Sequence, residues 1–403
     1  MTSTVTPLQN RAMKSTCCCR VPSCAPRDRT RGFSLIELMV AMLLGVLLTA
    51  GMATVFSGSK RSSTLNTTLT ELQESARFSM DSMVKDVRLA GFQGCAPTSE
   101  SGATAIVLAS NSPTDNLHET AVSTHVVNAD GSWSPSIATT GFTPPASGEI
   151  GEPVAGTHAL SVQFGSPETF RIKSMTSKTA SIVLADGVTM ADTGLMTHDV
   201  AMISDCQKAN IFTISSTGTN SVQHAASVNR NAAGLADGRL SDAFVSETDD
   251  RRRTRLKRFE ANIYYVGNTQ RTNSDGDDVL ALFRMSLPYV IPTTGAAVPP
   301  IEMVEGVSDL RLRVGMHSED INNNNVTFVT PDSVATTPGV IGSVEIGMLI
   351  ESFNTIAENV DQRSYTLAGN TLSPSTQPGT NTYRADRRMR LAFNSTVDIR
   401  NRQ

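Results

Sequence analysis

Residues 33–56 read FSLIELMVAMLLGVLLTAGMATVF. These 24 residues carry one charge, Glu37, and neither Lys nor Arg. As a helix the stretch is roughly 36 Å long, enough to span a hydrocarbon core of about 30 Å. The pattern then changes without a break. Leu65, Leu69, Leu72, Ala76, Met80, Met83, Val87 and Ala90 step by three or four, with polar residues between them, which predicts an amphipathic helix over 60–90. No proline interrupts residues 33–90, so the two segments read as one helix of roughly 87 Å, with Gly45, Gly51 and Gly58 as its loosest points. The apolar first half is an anchor. The stripe of the second half is expected to cover a β-sheet. An isolated coiled coil is the weaker reading, because the repeat stops near Gly91.

Composition outside the helix points to a loop-rich β domain. The chain has 403 residues, 39% hydrophobic, 18% charged and 5% aromatic, with 28 Gly and 18 Pro. That is too apolar for a disordered chain, and a formal net charge of −4 gives no global basic field for nucleic acid. The charge is unevenly placed. Residues 1–32 hold Arg11, Lys14, Arg20, Arg27, Arg29 and Arg31 against Asp28, a net +5, which leaves −9 for the rest. Cys17, Cys18, Cys19 and Cys24 also lie in this head, and only Cys95 and Cys206 follow it. With the six basic residues of the head all upstream of the apolar stretch, the positive-inside rule keeps the head in the cytoplasm and sends the body outward.

A plain transmembrane anchor and a secretory signal peptide cut near Gly51-Met52-Ala53 are two readings of such a segment. Glu37 favours a third, because an intramembrane carboxylate is costly and is usually functional. Arg31-Gly32-Phe33-Ser34-Leu35-Ile36-Glu37 resembles the class III signal of type IV pilins and type II secretion pseudopilins. The resemblance implies that a prepilin peptidase cuts between Gly32 and Phe33 on the cytoplasmic side and methylates the new N-terminal Phe33. It also implies that the Glu37 carboxylate meets the N-terminal ammonium of a neighbouring subunit during assembly, a pairing that offsets the cost of a lone buried charge. Glu37 in the first helical turn suits the macrodipole as well. A leader of 32 residues is long for this family; a start at Met13 would shorten it to 20. Major pilins commonly carry a proline in this helix, where this chain has Thr54.

After Gly91-Phe92-Gln93-Gly94-Cys95, short apolar runs alternate with Gly, Pro, Asn and Asp. Strands are expected at 103–109, 159–164, 168–173, 180–184, 199–204, 210–215, 256–266, 279–287, 307–314, 342–351 and 387–399, arranged as one or two linked, mainly antiparallel sheets. Polar loops are expected near 111–157, 216–250, 317–340 and 366–382. The segments LAGFQGC at 89–95, DVAMISDCQKANIFTIS at 199–215, ANIYYVG at 261–267, LALFRMSL at 280–287, VEGVSDLRLRVGM at 304–316 and RMRLAFNSTVDIRNR at 388–402, taken in order, resemble the PilW family of minor pilins. An oxidising periplasm would then favour a disulfide between Cys95 and Cys206, the alternative being two buried free thiols. The head cysteines would stay in a reducing compartment and be discarded.

Other constellations carry less. The basic run Arg251–Arg258 is suited to DNA or anionic lipid, but Glu247, Asp249 and Asp250 precede it and no aromatic platform accompanies it, so a solvated strand entrance or an ion-paired subunit contact is the preferred reading. Asn273–Asp278 is as oxygen-rich as a calcium loop but lacks the EF-hand order, and a hairpin turn accounts for Asp275–Asp278 more simply. His118, His125, His158, His198, His224 and His317 show no metal-ligand spacing, and no nucleophile elbow, P-loop or dinucleotide fingerprint is present. The sequence therefore gives no catalytic residue, metal or cofactor. The expected fold is α+β: a leader at 1–32, a transmembrane or filament-core helix at 33–58, an amphipathic continuation at 59–92, and a periplasmic β-rich pilin domain at 93–403.

The expected function is that of a minor pilin that primes or caps a type IV pilus. Its partners would be other minor pilins, the major pilin, the prepilin peptidase, the inner-membrane assembly machinery and inner-membrane lipid. Alternatives are a minor pseudopilin of type II secretion and a tip-exposed adhesin or DNA-binding module.

Overall fold

The structure is a computed structural model that describes residues 32–95, 104–107, 121–136, 142–231, 235–241, 244, 254–288, 297–318, 325–376 and 379–401. The leader segment 1–31, the outer parts of the strand expected at 103–109, and Arg251–Arg253 lie outside the described residues. The chain divides between Arg61 and Ser62 into two compact units.

Helix α1 runs Leu35–Leu89 and contributes to both units. In the first unit it has no core: its apolar side chains are exposed all round. In the second it behaves as an amphipathic helix. Leu72, Ala76, Ser79, Met83, Asp86 and Val87 are buried at the three- and four-residue spacing that keeps side chains on one face. Leu65, Leu69 and Met80, earlier in the same stripe, are half-buried. The stripe holds two polar residues that periodicity alone does not anticipate. Ser79 returns its hydroxyl to the Ser75 carbonyl at 2.9 Å. Asp86 accepts hydrogen bonds from Asn262 Nδ2 and from the Tyr264 hydroxyl, both at 2.7 Å.

The β domain is organised by one long strand, Arg255–Thr272. Its first residues pair with Val200–Ser204 on one side and Phe170–Ser174 on the other. Further along it pairs with His158–Gly165 and Asp278–Ser286. A single strand thus belongs to two pairing neighbourhoods and, among the described residues, joins fourteen strands into one sheet. A second, wholly antiparallel sheet runs in the order Val326–Val329, Val307–His317, Val340–Glu351, Arg390–Asp398. A third, small sheet joins Tyr365–Leu367, Asn370–Ser375 and Thr382–Arg384.

The main core lies where the two larger sheets and the α1 stripe meet. Met83 and Val87 share it with Val162, Phe164 and Ile263 from the first sheet and with Leu310, Leu312, Ile346 and Met348 from the second. A separate cluster around Ile203, Phe212, Phe244 and Leu256 packs with Ile172, Ile182 and Leu184. The architecture is α+β, as the sequence predicts. The expected loops are more structured than composition suggests. Val122–Val127 and Glu152–Pro153 lie within 111–157, Val326–Val329 and a 3-10 turn at Pro331–Thr336 within 317–340, and Asn370–Ser375 within 366–382. These pieces are only two to six residues long and lie inside polar loops, too short for hydrophobic periodicity to mark them.

Helix α1 ends where its backbone finds new partners. Gly91 takes φ 72°, a left-handed conformation that suits glycine, and donates to the Gln163 carbonyl at 2.9 Å. Gly165 donates to the Phe92 carbonyl at 2.7 Å, so the chain leaves the helix alongside the strand His158–Gly165. The Asn401 side chain donates to the carbonyls of Leu89 and Ala90 at 3.4 and 3.2 Å. The far end of the chain thereby helps satisfy helix carbonyls that lack a partner within the helix.

Replacing Asp86 with Ala strands two buried donors. We expect denaturant unfolding of the detergent-solubilised chain to show a loss of about 2–4 kcal/mol for Asp86→Ala. Asp86→Asn, which can keep one acceptor, should lose less; equal midpoints for all three proteins would contradict the role given to Asp86.

Candidate functional site

The N-terminal segment is the first candidate. Gly32 and Phe33 are exposed, and nothing lies within 4 Å of where a Gly32 side chain would start. The helix opens with Leu38 N–H donating to the Ser34 carbonyl at 3.1 Å. Ser34-Leu35-Ile36-Glu37 has the spacing of a capping box, and Glu37 reaches back to accept from the Ser34 N–H at 3.5 Å. In the free chain the Glu37 carboxylate is therefore a long, weak cap placed where the helix dipole favours an anion. It remains exposed and open to a stronger donor.

Around and beyond it, large apolar side chains from Phe33 to Phe56 are 49–83% exposed. None of this apolar stretch is buried, and the helix is long and apolar enough to cross a membrane. Its few hydroxyls are already satisfied. Thr49 donates to the Gly45 or Val46 carbonyl, Thr54 to Gly51 and Ser57 to Ala53 or Thr54, at 2.8–3.1 Å. Such back-bonding lets Thr and Ser enter an apolar medium without a bare polar atom. The sequence places Gly32, Phe33 and Glu37 within one helical turn of the start of this surface.

The second candidate is the turn that follows α1. Cys95 and Cys206 are joined by a disulfide, with a Cα–Cα distance of 4.6 Å. It closes a loop of 111 residues, a span for which chain-entropy models give a stabilisation of up to about 4.7 kcal/mol. Cys206 sits in the turn between Val200–Ser204 and Ala209–Thr213, which Asp205 shapes by accepting the N–H groups of Gln207 and Lys208 at 2.8 and 2.9 Å.

Lys257 lies beneath the same turn, 1% exposed, with its ammonium 4.8 Å from the centre of the Phe92 ring. A side chain at Gly94, which has φ 93°, would start 2.7 Å from Lys257 Nζ. Over Thr254–Arg258, the described part of the run Arg251–Arg258, this departs from the expected solvated strand entrance. Leu256 and Lys257 are both buried, so both faces of the strand are covered at this point. Arg258 is ion-paired with Asp199 at 3.0 Å within the chain. Burial, and secondarily the neighbouring Arg255, lowers Lys257 from the usual lysine range to about 8.

The remaining constellations serve the fold. Asn273–Asp278 forms the hairpin turn between Arg255–Thr272 and Asp278–Ser286, with Asn273 Oδ1 accepting the N–H groups of Asp275 and Asp277 at 2.9 Å. Asp277 is ion-paired with Arg384 and Arg388, and Asp275 accepts from the Thr355 hydroxyl. His158 accepts the Leu312 N–H on Nδ1 at 2.9 Å, and burial, helped by the nearby Arg311, holds it at about 3, so it stays neutral. His224 contacts the carbonyls of Gly238 and Ala180, and His125 that of Pro135. His118 lies outside the described residues. Among the described residues no group of three or more His, Cys, Asp or Glu is arranged to hold a metal. A buried network that sequence reasoning missed joins Arg388 and Arg390 to Glu351 and Asp386, with Arg390 at 0% exposure. Its only sequence signal is the charge-dense RADRRMR at 384–390, which reads as a solvated patch.

Two comparisons bear on these sites. Residues 27–53 match the prokaryotic N-terminal methylation motif, which covers Gly32, Phe33, Glu37 and most of the exposed apolar surface. Residues 263–401 match the family described as Type IV Pilus-assembly protein W, a span that includes the second sheet, the Arg388–Arg390 network and Asn401. No curated protein and no solved structure matches the chain.

The Lys257 environment makes a pH prediction. An unfolded lysine binds its proton up to about 10.5 and the folded one only to about 8, so the unfolded state binds more protons in between and stability rises with pH across that window. Urea unfolding should show a gain of about 1–2 kcal/mol from pH 7 to pH 9.5. Lys257→Met should remove most of that slope; an equal slope in the variant would contradict the assignment.

Proposed function

We propose that this chain, a PilW-family type IV pilin with a class III signal, primes or caps pilus assembly as part of a small complex of minor pilins. The observation that carries the reading is the coincidence of the methylation motif with a helix start that exposes Phe33, Glu37 and an apolar surface on every side. The match over 263–401 supports a pilus subunit over a pseudopilin of type II secretion. Membership of a pilin family suggests a structural protein rather than an enzyme and implies association with other pilus components.

In this proposal residues 1–32 are a leader removed by the prepilin peptidase, which then methylates Phe33. Residues 33–58 hold the subunit in the inner membrane and later pack among the helices of other subunits. Residues 59–92 carry the stripe that covers the β domain, and 93–403 fold in the periplasm, where the Cys95–Cys206 disulfide is stable. Cleavage creates an ammonium on Phe33 about one helical turn from Glu37. In an assembled bundle the Glu37 carboxylate exchanges its weak contact with the Ser34 N–H for the ammonium of a neighbour. A charge pair in an apolar setting is strongly sensitive to register, because losing either partner leaves the other bare. A complex formed before extraction also supplies helix contacts in place of lipid, which lowers the barrier to leaving the membrane.

Mass spectrometry of the N-terminal peptide from membranes tests the processing step. We expect N-methyl-Phe33 in cells with the peptidase and the uncut leader in cells without it. A mature terminus near Thr54, or an uncut chain in both strains, would overturn the reading. With processing intact, Glu37→Ala should leave the membrane level unchanged and reduce the amount in sheared pili at least about tenfold, the scale set by stranding one buried charge.

A further inference from the structure

The second sheet ends on one side in the strand Arg390–Asp398, nine residues long. It pairs with Val340–Glu351 without a register shift, and among the described residues no strand pairs with its other side. Ile399 donates to the Gly342 carbonyl and Ser352 to the Met389 carbonyl, both at 2.9 Å, so the odd-numbered residues between Met389 and Ile399 bond inward. Ala392, Asn394, Thr396 and Asp398 therefore aim their N–H and C=O groups away from the sheet. Proteins normally blunt such an edge with Pro, Lys, a bulge or a short strand. Other free edges among the described residues are of that kind: Val326–Val329 has four residues, Ser216–Thr217 two, and Ile301–Glu305 carries a register shift. Arg390–Asp398 holds neither Pro nor Lys, and its one Arg turns its side chain into the buried ion network.

A row of N–H and C=O groups at this spacing is satisfied in register by another extended backbone. The opposite edge of the same sheet offers one. Among the described strands Val326–Val329 pairs with Val307–His317 alone, and the alternation carried across the sheet points the backbone groups of Val326 and Phe328 outward. Their side chains are apolar, yet 40% and 39% exposed. They lie on the sheet face that holds Gly315 and Ser343. Asp398 and Thr396, opposite Ser343 and Glu345, lie on that face too. The four strands alternate in direction, so the first and the last run opposite ways. A second copy set beside the first in the same orientation thus brings its Val326–Val329 antiparallel to Arg390–Asp398, with the outer faces of the two sheets continuous.

We propose that Arg390–Asp398 of one chain pairs with Val326–Val329 of a second copy, head to tail and in the same orientation. In the register that sets Phe393 against Val329, Asn394 faces Phe328 and Thr396 faces Val326, and each of these two pairs exchanges two backbone hydrogen bonds. Phe393 with Val329 and Thr396 with Val326 are aromatic and β-branched cross-strand pairs of the kind that stabilise sheets. A two-fold pairing of Arg390–Asp398 with itself would satisfy the same backbone groups. It would also reverse α1, whose Met83 and Val87 share a core with Leu310, Leu312, Ile346 and Met348 of this sheet. Two helices pointing opposite ways cannot enter one membrane from the same side, so the head-to-tail contact is the compatible one. That step rests on the membrane and filament role proposed for residues 33–58. The contact is heterologous and leaves a free edge at each end, so further copies can add.

The test places Thr396→Cys and Val326→Cys in two differently tagged copies of the full chain made in the same cells, the native Cys95–Cys206 pair being already bonded. Residues facing each other across such a pair lie about 5.5 Å apart, within disulfide reach. We expect a disulfide-linked dimer carrying both tags when membranes are run on non-reducing gels. Ala392→Cys in place of Thr396→Cys lies about 13 Å further along the same edge and should give at least about tenfold less. Ser395→Cys alone, which sits at the centre of the two-fold alternative, should give no more dimer than that control. N-terminal processing is scored in the same membranes. Processed chain without the Thr396–Val326 product, or as much product from Ala392→Cys, would overturn the pairing and leave the proposed function standing. Dimer from Ser395→Cys in its place would overturn it in favour of a two-fold. A leader left uncut would count against the proposed function instead, and the cross-link would still decide the pairing.

Discussion

A helix that is apolar on every side cannot remain bare in water, and the rest of this protein is arranged around that constraint. Each large apolar side chain left exposed along residues 33–56 forgoes about 1.5–3 kcal/mol of burial. Only two environments relieve so much surface at once: the hydrocarbon of a bilayer, or a bundle of similarly apolar helices. The helix is compatible with both. In this stretch the hydroxyls of Thr49 and Thr54 are closed onto backbone carbonyls, and the one charge, Glu37, sits in the first turn. A helix compatible with both environments fits the methylation motif and the pilus-assembly match, and in our proposal Glu37 is the group that registers the exchange.

The same helix changes character within its own length, and its C-terminal end is fixed with unusual thoroughness. Apolar packing of Met83 and Val87, hydrogen bonds to Asp86, a left-handed Gly91, the Asn401 side chain and the Cys95–Cys206 disulfide all act within a few residues of one another. Lys257 is enclosed beneath this turn at the cost of a perturbed charge, which indicates that covering the site matters more than the lysine's own solvation. Each of these contacts ties the helix end to a different part of the β domain. A load carried along the last turns of α1 would therefore be spread over several strands.

Much of this was legible in the sequence. Leu72, Ala76, Met83 and Val87 were marked by their spacing, and the long hairpin around Asn273–Asp278 by two apolar runs flanking a turn. What escaped was what local pattern cannot carry. Ser79 and Asp86 break the stripe in composition while keeping its geometry, because their partners are backbone or residues 176 and 178 positions away. Lys257 and Arg390 sit in charge-dense runs that resemble solvated surface, yet each lies on a strand covered on the face it occupies. Val122–Val127 and Val326–Val329 are strands by virtue of the neighbours they pair with, a long-range property that such short segments inside polar loops do not announce. The candidate assembly site was the most legible feature of all, since Gly32, Phe33 and Glu37 are contiguous in sequence and owe nothing to tertiary contacts.

We propose that the exposed apolar surface of α1 exchanges lipid for the helices of other pilin subunits. The most direct measurement is photo-crosslinking from Ile36 and Val40 in living cells, with the adducts identified separately in membranes and in sheared pili. The account predicts lipid adducts in the membrane pool and adducts to the N-terminal helix of another pilin subunit in the pilus pool. Lipid adducts alone in cells that are visibly piliated would contradict it.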